Sequence, residues 1–309
     1  MERIKRSIPN LLPVLGLIVV LVLFSIIAGS RFFSSRNFAL ILNQSYTVMM
    51  AAVGVTMIYA HGGIDFSVGA VLGLAEMVAA MVYSRFGAPV LLIVFTVLCA
   101  GCCGFITGAI TVKLQVPPFI ASLCMQLACR GVVNTILQGN TIGVTDLQPP
   151  DWEIKLPVII IVALIVFIIL GYTKTGKYNK AIGENIKAAR ISGINVNKHR
   201  IIAYAMSGVI LGIAAYFDLL RNGVMSTTVG YGLEMNVIIA IVLGGISLSG
   251  GYGTKVYSAI LGGLIITILS NGLMIVGVPI NYSGIIQGII FLLVVIVTYK
   301  REKQGLLPR

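Results

Sequence analysis

Residues 156–173 read LPVIIIVALIVFIILGYT, a stretch without a single charged side chain. Its length is close to the ~20 apolar residues that cross a ~30 Å hydrocarbon core as a helix. The whole chain of 309 residues is 58% hydrophobic and only 10% charged, whereas soluble chains carry roughly 25% charged residues. Because a soluble exterior must be wetted and a lipid-facing exterior needs no polar cover, the composition predicts an all-α integral membrane protein.

Segments of similar length and apolarity recur along the chain and predict about ten transmembrane helices. They are residues 11–30, 39–60, 66–84, 88–112, 117–137, 156–173, 200–219, 233–249, 253–276 and 280–299. The sequence contains 35 glycines, which suit the close approach of helices in lipid, where the usual hydrophobic drive is absent. We therefore expect one transmembrane domain over residues 1–309.

The net charge of +12 reports topology and not a nucleic-acid partner. With the N-terminus inside, sixteen of the 22 Lys and Arg residues lie in inner segments, five lie in outer segments, and Arg130 lies within a span. This is the positive-inside asymmetry. An even number of spans then places both termini in the cytoplasm.

Neither a metal site nor an enzymatic site is indicated. Cys99, Cys102 and Cys103 fall on helical spacing, but no second cluster and no nearby histidine completes a ligand set. They are better explained as small packing residues. The chain has two histidines and shows no Ser/His/Asp set or acidic pair. We therefore expect no enzymatic activity and no metal.

Charges inside the predicted spans mark function or pairing, because they are expensive in lipid. Glu76 and Arg130 have estimated depths that an Arg side chain can bridge, so they form a buried pair, or Arg130 snorkels to the outer interface. Asp65 is either a helix N-cap or part of a polar vestibule. The candidate residues of a translocation path, or of the structure around it, are Asp65, Glu76, Arg130, Asn236 and Ser247.

Two glycine-rich segments resemble each other. GGIDFSVG at 62–69 and GGISLSGG at 244–251 share five of eight residues. The similarity indicates an internal repeat of the kind that transporters carry, or chance in a chain rich in Gly and Ile. On either view, irregular backbone at the ends of spans is tolerated only where protein or a water-filled cavity satisfies it.

The segment 174–199 is the large loop on the cytoplasmic side. Residues 184–192 predict a short helix, with Gly193 as its C-terminal stop. A helix of this length is not stable alone, so it lies on anionic lipid or docks into a groove of a partner protein. The small Ala188 and Ala189 favour docking.

Four stretches in order along the chain resemble the permease subunits of ribose/xylose-type sugar ABC importers, a group that includes autoinducer-2 importers. The stretches are GGIDFSVG at 62–69, VPPFIASL at 116–123 ahead of Arg130 and Gly131, AIGEN at 181–185 followed by AARISGI at 188–194, and LGGISLSGGYG at 243–253. Family members typically have Gly where this chain has Cys124, a difference that concerns local packing.

The resemblance implies a helical fold like that of vitamin B12-type importer permeases, in a bacterial plasma membrane. It also implies a dimer with a second copy or a paralogue, a cytoplasmic ABC ATPase that binds the ATP, and an extracytoplasmic solute-binding protein. No cofactor is expected in this chain. The residues implied in ATPase coupling are Glu184, Asn185, Lys187, Ala188, Ala189, Arg190 and Gly193.

The implied function is alternating-access import of a monosaccharide such as ribose or a related pentose, with specificity residing largely in the binding protein. The alternative is a stand-alone secondary transporter or channel for a small polar solute. A proton- or sodium-coupled transporter would be expected to bury several carboxylates near the midplane, and Glu76 is almost alone there. This argues for the importer.

Overall fold

The computed structural model describes residues 2–298 and consists almost entirely of helices. These are α1 Glu2–Ala28, α2 Ser35–Ala60, α3 Val68–Phe86, α4 Pro89–Lys113, α5 Pro118–Leu137, α6 Trp152–Tyr172, α7 Lys174–Glu184, α8 Ile186–Ile191, α9 Val196–Asn222, α10 Leu233–Leu243, α11 Val256–Ile275 and α12 Ile280–Thr298. Two short antiparallel strands, β1 Ile142–Gly143 and β2 Val224–Met225, pair with Ile142 opposite Met225. The prediction of an all-α membrane protein is confirmed.

The helices coincide in position with the predicted spans, but one of them is much shorter. Eight helices of the described chain are long and apolar enough to cross a membrane, namely α1 to α6, α9 and α11. The predicted span 233–249 is wrong in length, because α10 ends at Leu243. Gly245 has φ +76° and ends the helix through hydrogen bonds from its own N–H to Val242 and from Ile246 to Ile241. Eleven residues reach about 16 Å, roughly half of the hydrocarbon core.

Helices α4 and α9 pack with almost no side chain between their backbones. A Cβ on Gly104 would collide with the Tyr204 carbonyl oxygen, and one on Gly208 would collide with the Ala100 carbonyl oxygen. A Cβ on Gly212 would lie 2.5 Å from the Val97 Cα. The predicted use of glycine for close helix approach is thus met at this pair. Helix α9 also packs on α2 and α3, which places it at the centre of the bundle.

The helix predicted at 184–192 is present as α8, but it begins two residues later, after a bend that separates it from α7. Glu184 is the last residue of α7, and Asn185 follows with an extended backbone at φ −157° and ψ 104°. The Asn185 carboxamide oxygen caps α8, accepting from the Lys187 and Ala188 N–H groups at 3.0 Å. Gly193 is the stop that the sequence predicted, with φ +78°.

Both glycine-rich segments begin with the same type of helix ending. At the end of α2, Gly62 has φ +77°, and Gly63 donates to the Ile58 carbonyl five residues back. At the end of α10, Gly245 and Ile246 repeat this pattern. The residues that are equivalent in structure are therefore offset by one position from the residues that are identical in sequence. The two segments thus share the chemistry of a glycine helix ending, while their identical residues occupy different positions in the two turns.

Candidate functional site: a polar cavity and a glycine joint

A cavity of about 860 Å³ lies between α10, α11 and α12. Its polar lining consists of amide, hydroxyl and phenol groups with aromatic rings beside them, and none of the described residues that line it is charged. The lining residues are Phe66, Tyr231, Gly232, Met235, Asn236, Ile238, Ile239, Ser270, Met274, Val278, Ser283, Gly284, Gln287, Gly288 and Phe291. Such a lining combines a few convergent polar groups with apolar walls, which is the usual form of a small-molecule site.

Three polar side chains of the cavity differ in their hydrogen bonding: Gln287 and Ser270 are bonded to residues that the structure describes, and Asn236 is not. Gln287 donates from Nε2 to Ser270 Oγ at 2.9 Å, and Ser270 donates to the Ile266 carbonyl at 2.8 Å. The half-buried Asn236 side chain makes no hydrogen bond to any of the residues described. Of the predicted path residues, Asn236 is the one that lines the cavity. Its carboxamide offers two donors and an acceptor to a solute.

The short helix α10 begins after irregular backbone that Arg130 holds in place. Arg130 Nη1 donates to the Val229 carbonyl at 2.5 Å, and the guanidinium lies 4.0 Å from the centroid of the Tyr231 ring. On the α3 side, a Cβ on Gly69 would collide with the Gly230 carbonyl oxygen. Arg130 therefore supports the cavity wall through Tyr231, and does not line the cavity itself.

The predicted pair of Glu76 and Arg130 is wrong. Glu76 is fully buried, and its carboxylate oxygens have no hydrogen-bond partner among residues 2–298. Its charged neighbours are Asp218 and Arg221 of α9. The two side chains point to different helices, because Glu76 faces α9 whereas Arg130 reaches the segment before α10.

A polar network near the C-terminal end of α9 joins that helix to α2. Buried Asp218 accepts from Thr47 Oγ1 at 2.6 Å, from Arg221 Nη2 at 2.8 Å and from Asn222 Nδ2 at 2.9 Å. We call these four residues the Asp218 network. Sequence reasoning missed it, although an Asp within a predicted outer helix end was a visible signal.

Asp65 and Ser247 stabilise turns and do not line the cavity. The Asp65 carboxylate accepts from the Ser67 N–H at 2.8 Å and from Ser67 Oγ at 2.6 Å, immediately before α3. This is an Asx turn ahead of α3 and not the N-cap that one of the two predictions gave to Asp65, because the N-cap residue of α3 is Ser67. Ser247 Oγ accepts from the Ser249 N–H at 3.2 Å.

Three segments meet in what we call the glycine joint, made of residues 60–62, 183–184 and 249–252. The Ala60 carbonyl accepts from the Gly251 N–H at 3.0 Å, and the Glu184 carboxylate accepts from the Tyr252 N–H at 2.9 Å. A Cβ on Gly183 would collide with the Ala60 carbonyl oxygen and lie 2.5 Å from the Gly251 nitrogen. Three of the four stretches that carry the family resemblance are thereby brought into contact.

Helix α8 lies beside this joint, with one side exposed and the other packed against its own chain. Ile191 is 88% exposed and Ala188 is also exposed, together with Lys187 and Arg190. Ala189 is only 4% exposed, because it packs against Ile182 of α7 and Val196 of α9. The two alanines that the sequence treated alike are therefore different. Ala188 is available to a partner, and Ala189 holds α8 to its own chain.

The cavity also contains residues that the sequence did not single out, notably Phe66, Tyr231 and Gln287. Gln287 carried a signal, since an amide within an apolar span needs a partner or a polar cavity. Phe66 and Tyr231 carried none, because aromatic residues in loops have many other uses.

Comparisons with known proteins agree with this architecture. Residues 37–295 match the family described as "Branched-chain amino acid transport system / permease component". The chain is 35% identical over 301 residues to the ribose import permease protein of Escherichia coli (strain K12), covering 93% of this chain and 94% of the relative. It is 29% identical over 314 residues to the fructose import permease protein of Rhizobium meliloti, covering 96% and 86%.

A third relative has a different named cargo. The chain is 31% identical over 302 residues to the autoinducer 2 import system permease protein of Photorhabdus luminescens, covering 94% of this chain and 91% of the relative. No solved structure matches the chain. The apolar helices and these relatives together make it a multi-pass protein of the bacterial plasma membrane. The chain therefore belongs to the permease family of ribose-type ABC importers, as its sequence motifs predicted.

Proposed function

We propose that this chain conducts a neutral, polyhydroxylated solute such as ribose or a related pentose into the cytoplasm. Two copies, or one copy and a paralogue, enclose the path, and each contributes one polar cavity. The chain has no catalytic role and binds no cofactor. An ABC ATPase, which binds the ATP, drives alternating access, and an extracytoplasmic binding protein delivers the solute.

The observation that carries the proposal is the uncharged lining of the cavity. A pentose presents hydroxyl groups and apolar ring faces, which suit the Asn236 carboxamide, the Ser270–Gln287 pair and the aromatic rings. A zwitterionic amino acid would need partners for an ammonium and a carboxylate, because burying unpaired charge is costly. The cavity therefore favours a sugar over the amino-acid cargo in the family's description.

The surface that supports ATPase docking is the exposed side of α8. The proposed orientation places both termini and the 174–199 loop in the cytoplasm, following the positive-inside asymmetry. On that side the small Ala188 lets α8 fit closely into a groove of the ATPase, and the exposed Ile191 offers it an apolar contact. The basic residues of the 174–199 loop interact with anionic lipid headgroups.

The test is uptake by proteoliposomes that contain the chain, its ATPase and its binding protein. Wild-type protein should take up ribose with ATP, and excess xylose should compete better than excess leucine. Asn236→Leu, which removes the carboxamide at similar volume, should lower uptake about tenfold by the loss of solute hydrogen bonds. Asn134→Leu is the control, because Asn134 lies exposed on α5 outside the cavity. Equal uptake by the two variants would contradict the proposed path.

The docking surface is tested separately by Ala188→Trp. This variant should stay folded and lose the copurifying ATPase, because bulk blocks a close-fitting groove while the exposed site tolerates it. Lys177→Ala on the exposed side of α7 should retain the ATPase. Uptake that continues without any ATPase would instead identify a stand-alone secondary transporter or channel.

A further inference from the structure

The Glu184 carboxylate belongs to an exposed residue and is hydrogen-bonded to its own chain. It accepts a hydrogen bond from the Tyr252 N–H at 2.9 Å. Gly251, with φ +95°, makes room for it, since a Cβ there would collide with the carboxylate. A side chain implied in ATPase coupling is thus engaged with the loop that joins α10 to α11.

The 249–252 segment of this loop is in backbone contact with α7 and with the end of α2. Gly183 brings the α7 backbone against the Ala60 carbonyl and the Gly251 nitrogen. Ala60, at the end of α2, accepts from the Gly251 N–H at 3.0 Å. On the other side, a Cβ on Gly250 would lie 2.5 Å from the Gly62 nitrogen. With no side chain in these gaps, displacement of α7 cannot be absorbed by side-chain rearrangement.

The loop leads directly to the cavity. Helices α10 and α11, on either side of it, pack so closely that a Cβ on Gly262 would collide with the Ala240 carbonyl oxygen, and one on Gly244 with the Ser258 carbonyl oxygen. They therefore move together. The same two helices present Asn236 and Ser270 to the cavity. At the other end, Asn185 caps α8 next to Glu184, so α8 and α7 are joined by one capped bend.

We propose that Glu184 is the positioning residue through which movement of α7 and α8 reaches the cavity. Its carboxylate is hydrogen-bonded to the backbone of the 249–252 segment. When α7 moves, this bond moves the segment and with it α10 and α11. This rests on the proposed function, since it assigns the path by which ATPase movement re-angles the cavity wall. It separates two roles along the loop, because α8 docks the ATPase and Glu184 transmits its motion.

The experiment compares Glu184→Ala, Glu184→Gln and the control Lys177→Ala in the complete importer. Three quantities are measured: copurification of the ATPase, ATP hydrolysis stimulated by the binding protein, and solute uptake. Glu184→Ala should keep the ATPase and its hydrolysis within about twofold and lose about tenfold or more in uptake, because one charge-assisted hydrogen bond is lost. Glu184→Gln should retain most uptake, because its amide oxygen also accepts from Tyr252.

A second measurement is independent of transport. In the purified chain alone, Glu184→Ala should raise hydrogen exchange at residues 250–254, and Lys177→Ala should not. Unchanged exchange, wild-type uptake in Glu184→Ala, or loss of the ATPase from that variant would each overturn the inference. A Gln variant as inactive as the Ala variant would also overturn it. If wild-type protein takes up no pentose, the proposed function fails, while the exchange result still decides whether Glu184 holds the loop.

Discussion

Helix α2 takes part in two polar regions built in opposite ways. Thr47 belongs to the Asp218 network, and Ala60, thirteen residues or about 20 Å further along, belongs to the glycine joint. The network consists of side chains around one buried carboxylate. The joint consists mainly of backbone groups that glycines allow to meet, with Glu184 as its one charged side chain.

The difference determines what each region tolerates. In the Asp218 network the sensitive quantity is charge, because a carboxylate that is 6% exposed is stabilised only by its donors. In the glycine joint the sensitive quantity is volume, because backbone atoms cannot rotate away from an added methyl group. The first region suits a fixed anchor and the second suits the transmission of rigid movement. Each of the following predictions tests one side of this contrast.

The largest effect is expected from Asp218→Leu. Removing the carboxylate leaves the donors of Thr47, Arg221 and Asn222 without their acceptor, and should cost about 3 kcal/mol of unfolding free energy. Unfolding in mixed micelles with rising SDS measures it. The double change Asp218→Leu with Arg221→Met should cost less than the sum of the single changes. Additive losses would mean that charge is not what the network depends on.

A smaller loss is expected from Gly183→Ala in the joint. The added methyl group meets the Ala60 carbonyl and the Gly251 nitrogen, and overpacking of this kind costs about 1–3 kcal/mol. Gly171→Ala is the matched control, since a Cβ at that position of α6 meets nothing within 4 Å. The same SDS titration should find the control as stable as wild type or slightly more stable. A tolerated Gly183→Ala would remove the steric basis of the joint.

The joint also contains a histidine that it keeps neutral. His61 follows the end of α2, and burial, followed by the charge of Arg200, lowers the pKa of His61 from 6.5 to about 3. Below pH 6.5 the unfolded chain therefore binds a proton that the folded chain does not, and stability falls. Between pH 7.5 and pH 5.5 this contributes a loss of about 1.4 kcal/mol. His61→Gln should remove that part of the pH dependence, and an unchanged pH profile would contradict it.

The sequence predicted the elements of this fold better than their contacts. Long apolar segments place α2, α4 and α9 by composition alone, because lipid imposes the length and polarity of a span. The length of α10 was not predictable from apolarity alone, since Ile246 and Leu248 follow Leu243 in the same predicted span. Only the positive φ of Gly245 ends the helix there. Glycine patterns indicate such endings without saying which glycine takes the left-handed conformation.

The site was predicted in part for a similar reason. The family resemblance identified the coupling loop, but spacing along one helix does not say which neighbour a side chain faces. Estimated depth put Glu76 near Arg130, whereas the packing of α9 turns Glu76 toward Asp218. Asn236, predicted for the path or the structure around it, lines the cavity, and the rest of the cavity wall includes residues distant from it in the sequence.

The smallest effect expected is the coupling between Glu76 and Arg130. Among residues 2–298 they share no partner, so the costs of Glu76→Gln and Arg130→Met should add within about 0.5 kcal/mol in a double-mutant cycle. Glu76→Gln with Asp218→Asn should couple more strongly, because the two carboxyl groups are neighbours in a dry interior. The SDS titration measures both cycles. Strong coupling of Glu76 to Arg130, and none to Asp218, would contradict the placement of Glu76 against Asp218 of α9.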